Sequence, residues 1–360
     1  MRYTMTFLLA SAAAPALAEP PSVVTGTPVV QSLVAKVMGD LGTPDVLLDQ
    51  GGDPHSFQLR PAQAQALADA DLVFWVGPDF TPWMQRAIDG IEGGGEVVTL
   101  IEVDGLHLQD FQHGHDHDHD HDDEHSHDDD QGHDHDDDHG HDNNHGHDHD
   151  DDHGHDDDHG HGHDDEHGHD DDHGHDDHGH DDHDHAHDGT DPHAWMNTGN
   201  VAVWLNLIAD ELAEHAPDHA DTFRANAAAA IERITSLTAE IETILEPVGT
   251  APLVKFHDAY GYLADQFGLN IAGTIALGDA AAPGAQRLAD LRAQLADAGA
   301  VCIFPEVNHS SRYVDVVVEG TDVRVGAELD PAGVLLEPGA DLYPSLMRNM
   351  AQAIADCVAG

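Results

Sequence analysis

Cysteine is nearly absent from these 360 residues: Cys302 and Cys357 are the only two. They are too few for a thiolate metal site, so any metal would have to rest on His, Asp and Glu. Basic residues are scarce as well, with 12 Lys plus Arg against 71 Asp plus Glu and a formal net charge of −59. That balance argues against nucleic acid and anionic membrane surfaces as partners and suits a chain that attracts cations, although surface acidity also serves solubility. No segment reaches the roughly 18 consecutive apolar residues of a membrane span, which predicts a soluble mature protein. No HExxH motif occurs, and no carboxylate pattern nominates a general base. What the chain has in excess is histidine.

The N-terminus reads as a secretory signal over residues 1–18. Met1 and Arg2 give a small positive region, Phe7 to Ala14 an apolar run, and Ala16-Leu17-Ala18 a cleavage site that places the cut after Ala18. No cysteine stands beside it to carry a lipid anchor. In an exported chain an even pair of cysteines favours one disulfide over two buried thiols.

Between His113 and His187 lie 28 of the 35 histidines, interleaved with aspartate and glycine. From His113 to Asp188 the segment holds 33 acidic residues and no basic ones, which leaves 38 acidic against 12 basic elsewhere. So little apolar surface cannot offset the entropy of ordering, and the composition predicts disorder. His-Gly-His recurs from His139, His145, His153, His159, His167 and His173, a repeat with no apolar face to stack as a solenoid. Pairs such as His113 and His115, His139 and His141, His153 and His155, and His173 and His175, with His187 at the end, predict many weak, interchangeable metal positions. An acidic linker alone would have no need of histidine. Binding there should release protons and weaken below about pH 6, because imidazole must be neutral to ligate.

Outside the tract, short apolar runs alternate with helical patterns. Ser22–Thr27, Asp45–Leu48, Leu72–Val76 and Glu96–Val103 read as strands, with helices from Val29, Pro61 and Pro82 between them. A helix is predicted from Asn197 to Glu214, and one of some 28 residues from Asp218 to Leu245, a candidate rigid spacer. Strands and helices then alternate again from Pro252, and a last helix runs from Leu342 to Val358. The predicted fold is α/β: two α/β lobes with parallel sheets, joined by a long rigid helix, with the histidine tract as a disordered insertion. The expected divisions are an N-terminal lobe over 19–112, the tract over 113–190, a continuation of that lobe over 191–217, a linking helix over 218–247, and a C-terminal lobe over 248–360.

Seven histidines lie outside the tract. His55, His193 and His257 share a setting: each sits in a turn or at a strand end beside an acidic residue (Asp53, Asp191, Asp258) that could fix the imidazole tautomer. Alone, each would read as structural; together, in both halves of a chain with a metal-binding tract, they read as ligands. His215 and His219, four apart but separated by Pro217, read as solvated, and His107 remains outside these groups. His309, by Glu306, stays unassigned.

The segments GGDPHSFQLRP (51–61), DPHAWMN (191–197), KFHDAYGY (255–262), FPEVNHSSR (304–312) and ELDPAG (328–333) resemble, in order, those of the solute-binding components of bacterial zinc ABC importers, the cluster A-I (cluster 9) group. The resemblance spans essentially the whole mature chain, and a histidine-rich insertion before the second ligand is also a trait of the group. It implies His55, His193 and His257 as zinc ligands, Asp330 at the fourth position, and a Cys302–Cys357 disulfide. Asp53, displaced from His55 by Pro54, is not among the implied ligands. Manganese-binding relatives carry a carboxylate where this chain has His257, and imidazole suits zinc better than manganese. The implied function is a periplasmic, monomeric, non-enzymatic receptor. It would bind Zn²⁺ with high affinity and deliver it to an inner-membrane ABC permease and its ATPase, with the tract as a low-affinity antenna or buffer. The alternatives are a zinc hydrolase, since three histidines and a water also make a catalytic site, and a receptor for nickel, cobalt or manganese.

Overall fold

A computed structural model describes residues 19–91, 94–111, 189–276 and 282–360. The signal segment with its cleavage site lies outside the described residues. So do the tract histidines, His113, His115, His139, His141, His153, His155, His173, His175 and His187 among them.

The first sheet is formed by β1 (Val23–Thr25), β2 (Asp45–Val46), β3 (Leu72–Trp75) and β4 (Glu96–Thr99), all parallel, in the order β2-β1-β3-β4. The central strands β1 and β3 are buried at every position, as the β-branched run of β1 and the apolar run of β3 suit when helices cover both faces. The helices α1 (Pro28–Met38), α2 (Pro61–Asp69) and α3 (Pro82–Asp89) each open on proline, whose missing N–H costs nothing in a first turn. The run expected as a strand to Val103 ends earlier. At Leu100–Glu102 the backbone tightens into a single 3₁₀ turn, and the Leu100 carbonyl there accepts the indole N–H of Trp204 at 2.9 Å.

Asn197 caps α4 (Thr198–His215) by accepting the backbone N–H groups of Gly199 and Asn200. After a 3₁₀ turn at Pro217–His219 comes α5 (Ala220–Leu245), which at 26 residues spans about 39 Å. Its buried residues, Phe223, Ala227, Ala230, Ile234, Leu237, Ile241 and Leu245, recur every three or four positions and form one stripe. That stripe packs on α1, on α4 and on the last helix, α9 (Leu342–Ala359). The long helix is therefore supported along its length and is no bare strut.

The second sheet repeats the first. Strands β5 (Pro252–Lys255), β6 (Asn270–Thr274), β7 (Cys302–Ile303) and β8 (Arg324–Val325) are parallel in the order β6-β5-β7-β8. Helices α6 (Gly261–Phe267), α7 (Ala285–Ala298) and α8 (Arg312–Val318) connect them. Leu288, Leu291 and Leu295 of α7 and Val314 and Val317 of α8 pack with Val254, Phe256 and Ile303 in a second core cluster. A disulfide joins Cys302 in β7 to Cys357 in α9. In both sheets the chain leaves the first strand in one direction and returns to the other side. Open α/β sheets bind ligands at the carboxyl ends of the strands flanking such a reversal. Among the described residues, no helix is long and apolar enough to cross a membrane.

Candidate metal centre

His55 follows β2 in the turn that leads to α2. Asp53 shapes this turn, its Oδ1 accepting the His55 backbone N–H at 2.9 Å and its Oδ2 the Ser56 hydroxyl at 2.7 Å. The indole N–H of Trp83 holds the turn from below by donating to the Pro54 carbonyl at 2.7 Å, and the Phe80 ring meets the imidazole edge-on at 5.2 Å.

His193 lies in the turn before α4. Asp191 Oδ1 accepts the His193 backbone N–H at 2.9 Å and stands 2.8 Å from its Nδ1. A carboxylate at Nδ1 selects the tautomer with its proton there and leaves a lone pair on Nε2. That Nε2 is buried without a hydrogen-bond partner. A buried, unpaired acceptor is costly, and a cation is the partner it lacks. The turn is anchored on its far side as well. Trp195 Nε1 donates to the Pro331 carbonyl at 2.9 Å, and the Tyr343 hydroxyl donates to the Trp195 carbonyl at 2.9 Å. Asp110 and Thr190 pair antiparallel just ahead of it, and Asp191 N–H donates to Gln109 O at 2.9 Å, so the chain leaves for the tract and returns from it at one place. The Tyr262 hydroxyl donates to the Asp191 carbonyl at 2.8 Å. A Cβ at Gly261 would stand 2.5 Å from Gln109 Nε2 and 3.1 Å from Asp191 Oδ2, so α6 approaches this turn closely.

His257 stands two residues past β5, where the second sheet reverses. Its Nδ1 is 2.5 Å from Oε1 of Glu306, which follows the neighbouring β7. Glu306 is buried, and its Oε2 accepts the Tyr260 hydroxyl at 2.7 Å. Burial alone would raise this carboxyl. The charge of His257 and hydrogen bonds from His257, His309 and Tyr260 outweigh burial and hold it down to about 2. Burial, aided by the Glu306 charge, pushes the Tyr260 phenol well above its ordinary value. Beside His257, Lys255 and Asp258 form a buried ion pair.

The structure brings the three expected histidines together. One ligand atom each from His55, His193 and His257 lies within 4.8 Å of the others, with ring centroids 5.3–6.0 Å apart. They line a cavity of about 20 Å³, little more than a single water requires. It is of a size to hold one ion.

Asp330 is not brought to this group. It belongs to neither cluster of metal-capable side chains among the described residues. Its carboxylate instead closes the following turn, accepting the backbone N–H groups of Val334 at 3.0 Å and Leu335 at 2.8 Å. Burial raises its pKa against those bonds. His219 corrects the expectation of a solvated side chain: it is buried against Phe223, with ring centroids 6.2 Å apart. His215 Nε2 stands 3.0 Å from Glu96 Oε2, and His107 Nε2 stands 3.2 Å from Asp265 Oδ2 on the surface. Sequence reasoning noticed Glu306 beside His309 and missed that it serves His257.

The profile of one protein family, described as zinc-uptake complex component A, periplasmic (ZnuA), matches residues 23–357. A high-affinity zinc uptake system protein, ZnuA, of Paracoccus denitrificans is 47% identical over 97% of this chain and 95% of its own. The protein of that name from Brucella abortus is 37% identical over 91% and 89%. Among solved structures, a crystal structure of ZnuA superimposes with a TM-score of 0.64 at 20% identity, covering 93% of this chain and 98% of the other. A nickel complex of the binding protein FpvC from P. aeruginosa gives 0.65 at 17%, covering 94% and 96%. At those identities the two structures speak for the fold.

Proposed function

The chain belongs to the periplasmic zinc-uptake component A family (ZnuA), and from that premise we propose that His55, His193 and His257 are the ligands of the zinc ion it carries. It is a zinc-binding receptor and not an enzyme. The observation that carries the ligand assignment is the convergence of three imidazoles on one ion-sized cavity. Three neutral nitrogens suit zinc better than manganese, and Zn–N bonds of about 2.0–2.1 Å place the donors about 3.3 Å apart. The rings then need only a short inward movement to enclose the ion. Membership of a family of zinc-uptake receptors speaks against the hydrolase alternative.

In the periplasm the receptor hands zinc to an inner-membrane ABC permease driven by its ATPase. Asp330 stabilises the 330–335 turn beside the cavity, and the fourth zinc position is left to water or to a group on the permease. The tract at 113–187 acts as a low-affinity zinc antenna and buffer.

Zinc titration with a competing chelator tests the assignment. Changing His55, His193 or His257 to alanine is expected to lower affinity at the tight site by more than the roughly 10–100-fold typical of losing a residue that merely orients a ligand. A His257→Ala protein that bound zinc as tightly as the parent would sink the assignment. Deleting residues 113–187 is expected to keep the tight site and reduce the total zinc bound per chain. Loss of tight binding on that deletion would show that the tract supplies a ligand.

A further inference from the structure

His257 belongs to a second cluster: one ligand atom each from His257, Glu306 and His309 also lies within 4.8 Å of the others. His309 Nε2 stands 3.4 Å from Glu306 Oε1, the oxygen that faces His257 Nδ1 at 2.5 Å. Its ring lies 5.5 Å from the His257 ring and is stacked flat on Phe256 at 4.5 Å and 20°. The three side chains are graded in exposure, His309 at 23%, His257 at 3% and Glu306 at 2%.

We propose that His309, Glu306 and His257 form an outer zinc position through which the ion reaches the inner three-histidine site. This rests on the ligand assignment above and extends it. Two imidazoles and a carboxylate are a competent zinc set. The carboxylate attracts the hydrated cation, and the partly exposed His309 can replace its first water before the ion is enclosed. His257 is common to both clusters and faces Glu306 through Nδ1, so an ion moving inward passes from one edge of this ring to the other, exchanging Nδ1, Glu306 and His309 for Nε2, His55 and His193. Stacking on Phe256 fixes the His309 ring, so that little is lost in ordering it when the ion arrives.

Two measurements on the full-length chain with Zn²⁺ alone test the step. In the first, zinc-edge anomalous diffraction from zinc-soaked crystals of the His55→Ala variant is expected to place an ion at about 2.0–2.2 Å from Glu306 and His309. Absence of zinc between these two residues overturns the proposal. Absence of zinc from the inner site of the parent protein would instead overturn the ligand assignment. In the second, stopped-flow zinc binding is followed through Trp195, whose ring lies 5.2 Å from that of His193. The variant His309→Phe keeps a stacking ring without ligand nitrogens, and His309→Asn serves as a second variant if the first misfolds. Association is expected to slow about tenfold, with dissociation slowing in parallel. Association as fast as in the parent overturns the proposal. So does an affinity loss as large as that of His55→Ala, which would make His309 an inner ligand.

Discussion

His193 and His257 each present an imidazole to the same cavity with a buried carboxylate at Nδ1, but the two are built from chain at very different distances. Asp191 lies two residues before His193 and fixes both its backbone N–H and its ring. Glu306 lies 49 residues beyond His257 and reaches it because β5 and β7 are neighbours where the second sheet reverses. The first pair is a property of one turn; the second is a property of a folded sheet. Anything that loosens the pairing of β5 with β7 should therefore act on the carboxylate at His257, whereas the carboxylate at His193 stays with its own turn. The second sheet also carries the cross-link, through Cys302 in β7.

Breaking that cross-link is expected to have the largest effect on stability. Cys302 and Cys357 are 55 residues apart, and closing a loop of that length restricts the unfolded chain by about 4 kcal/mol. The Cys302→Ala/Cys357→Ala protein should lose about 2–4 kcal/mol of unfolding free energy in urea. The pairing of β5 with β7 does not depend on the bridge, so zinc affinity in native buffer should change by less than about tenfold, a shift of some 1.4 kcal/mol. A larger affinity loss would mean that the disulfide, and not the sheet, positions Glu306 against His257.

Removing the carboxylates sharpens the contrast at a smaller scale. Asp191→Ala and Glu306→Ala should each weaken zinc binding by roughly 10–100-fold, because each frees a ring that was held in one tautomer and orientation. Each loss also leaves a second buried group unpaired, the His193 backbone N–H for Asp191 and the Tyr260 hydroxyl for Glu306, and should cost about 1–3 kcal/mol in denaturant melts. Parental zinc affinity in Glu306→Ala would show that the carboxylate carried by the sheet does not hold His257.

The same distinction governs what the sequence made legible. A β-branched run and an apolar run identified β1 and β3, prolines marked the starts of two helices, and the two parallel sheets followed from the alternation of elements. The histidines were legible because turns such as Asp191-Pro192-His193 stand out in a chain whose other histidines are crowded into one tract. Their partners were legible only when local. Asp191 does hold the His193 ring. Asp53, expected to do the same for His55, spends its oxygens on the His55 backbone N–H and Ser56. Asp258, next to His257, turns instead to Lys255, and the carboxylate on His257 comes from a strand whose adjacency no spacing announces. Asp330 was reachable only through family resemblance, which marks a position without showing whether its oxygens are committed to backbone N–H groups.

The smallest expected effect concerns the contacts that join the two halves across the cavity. Gly51 N–H donates to the Val334 carbonyl at 2.8 Å, and Asn308 Nδ2 donates to the Gly52 carbonyl at 3.2 Å. The first is a backbone bond that no substitution of side chain removes directly; the second can be deleted cleanly. Asn308 has φ 66°, a left-handed conformation that asparagine tolerates and glycine adopts freely. Asn308→Gly therefore removes the hydrogen bond without straining the backbone, whereas Asn308→Ala removes it and adds about 1–2 kcal/mol of left-handed strain. The bond is solvent-exposed and should contribute about 0.5–1 kcal/mol to holding the halves together. Zinc dissociation from Asn308→Gly should then be about two- to fivefold faster than from the parent, with association little changed. If Asn308→Gly released zinc at the parental rate, the remaining contacts, Gly51 with Val334 and Trp195 with Pro331 among them, would be holding the halves without it. Asn308→Ala should match Asn308→Gly in release rate and fall below it in unfolding free energy, because strain is confined to the loop while the lost bond is the same.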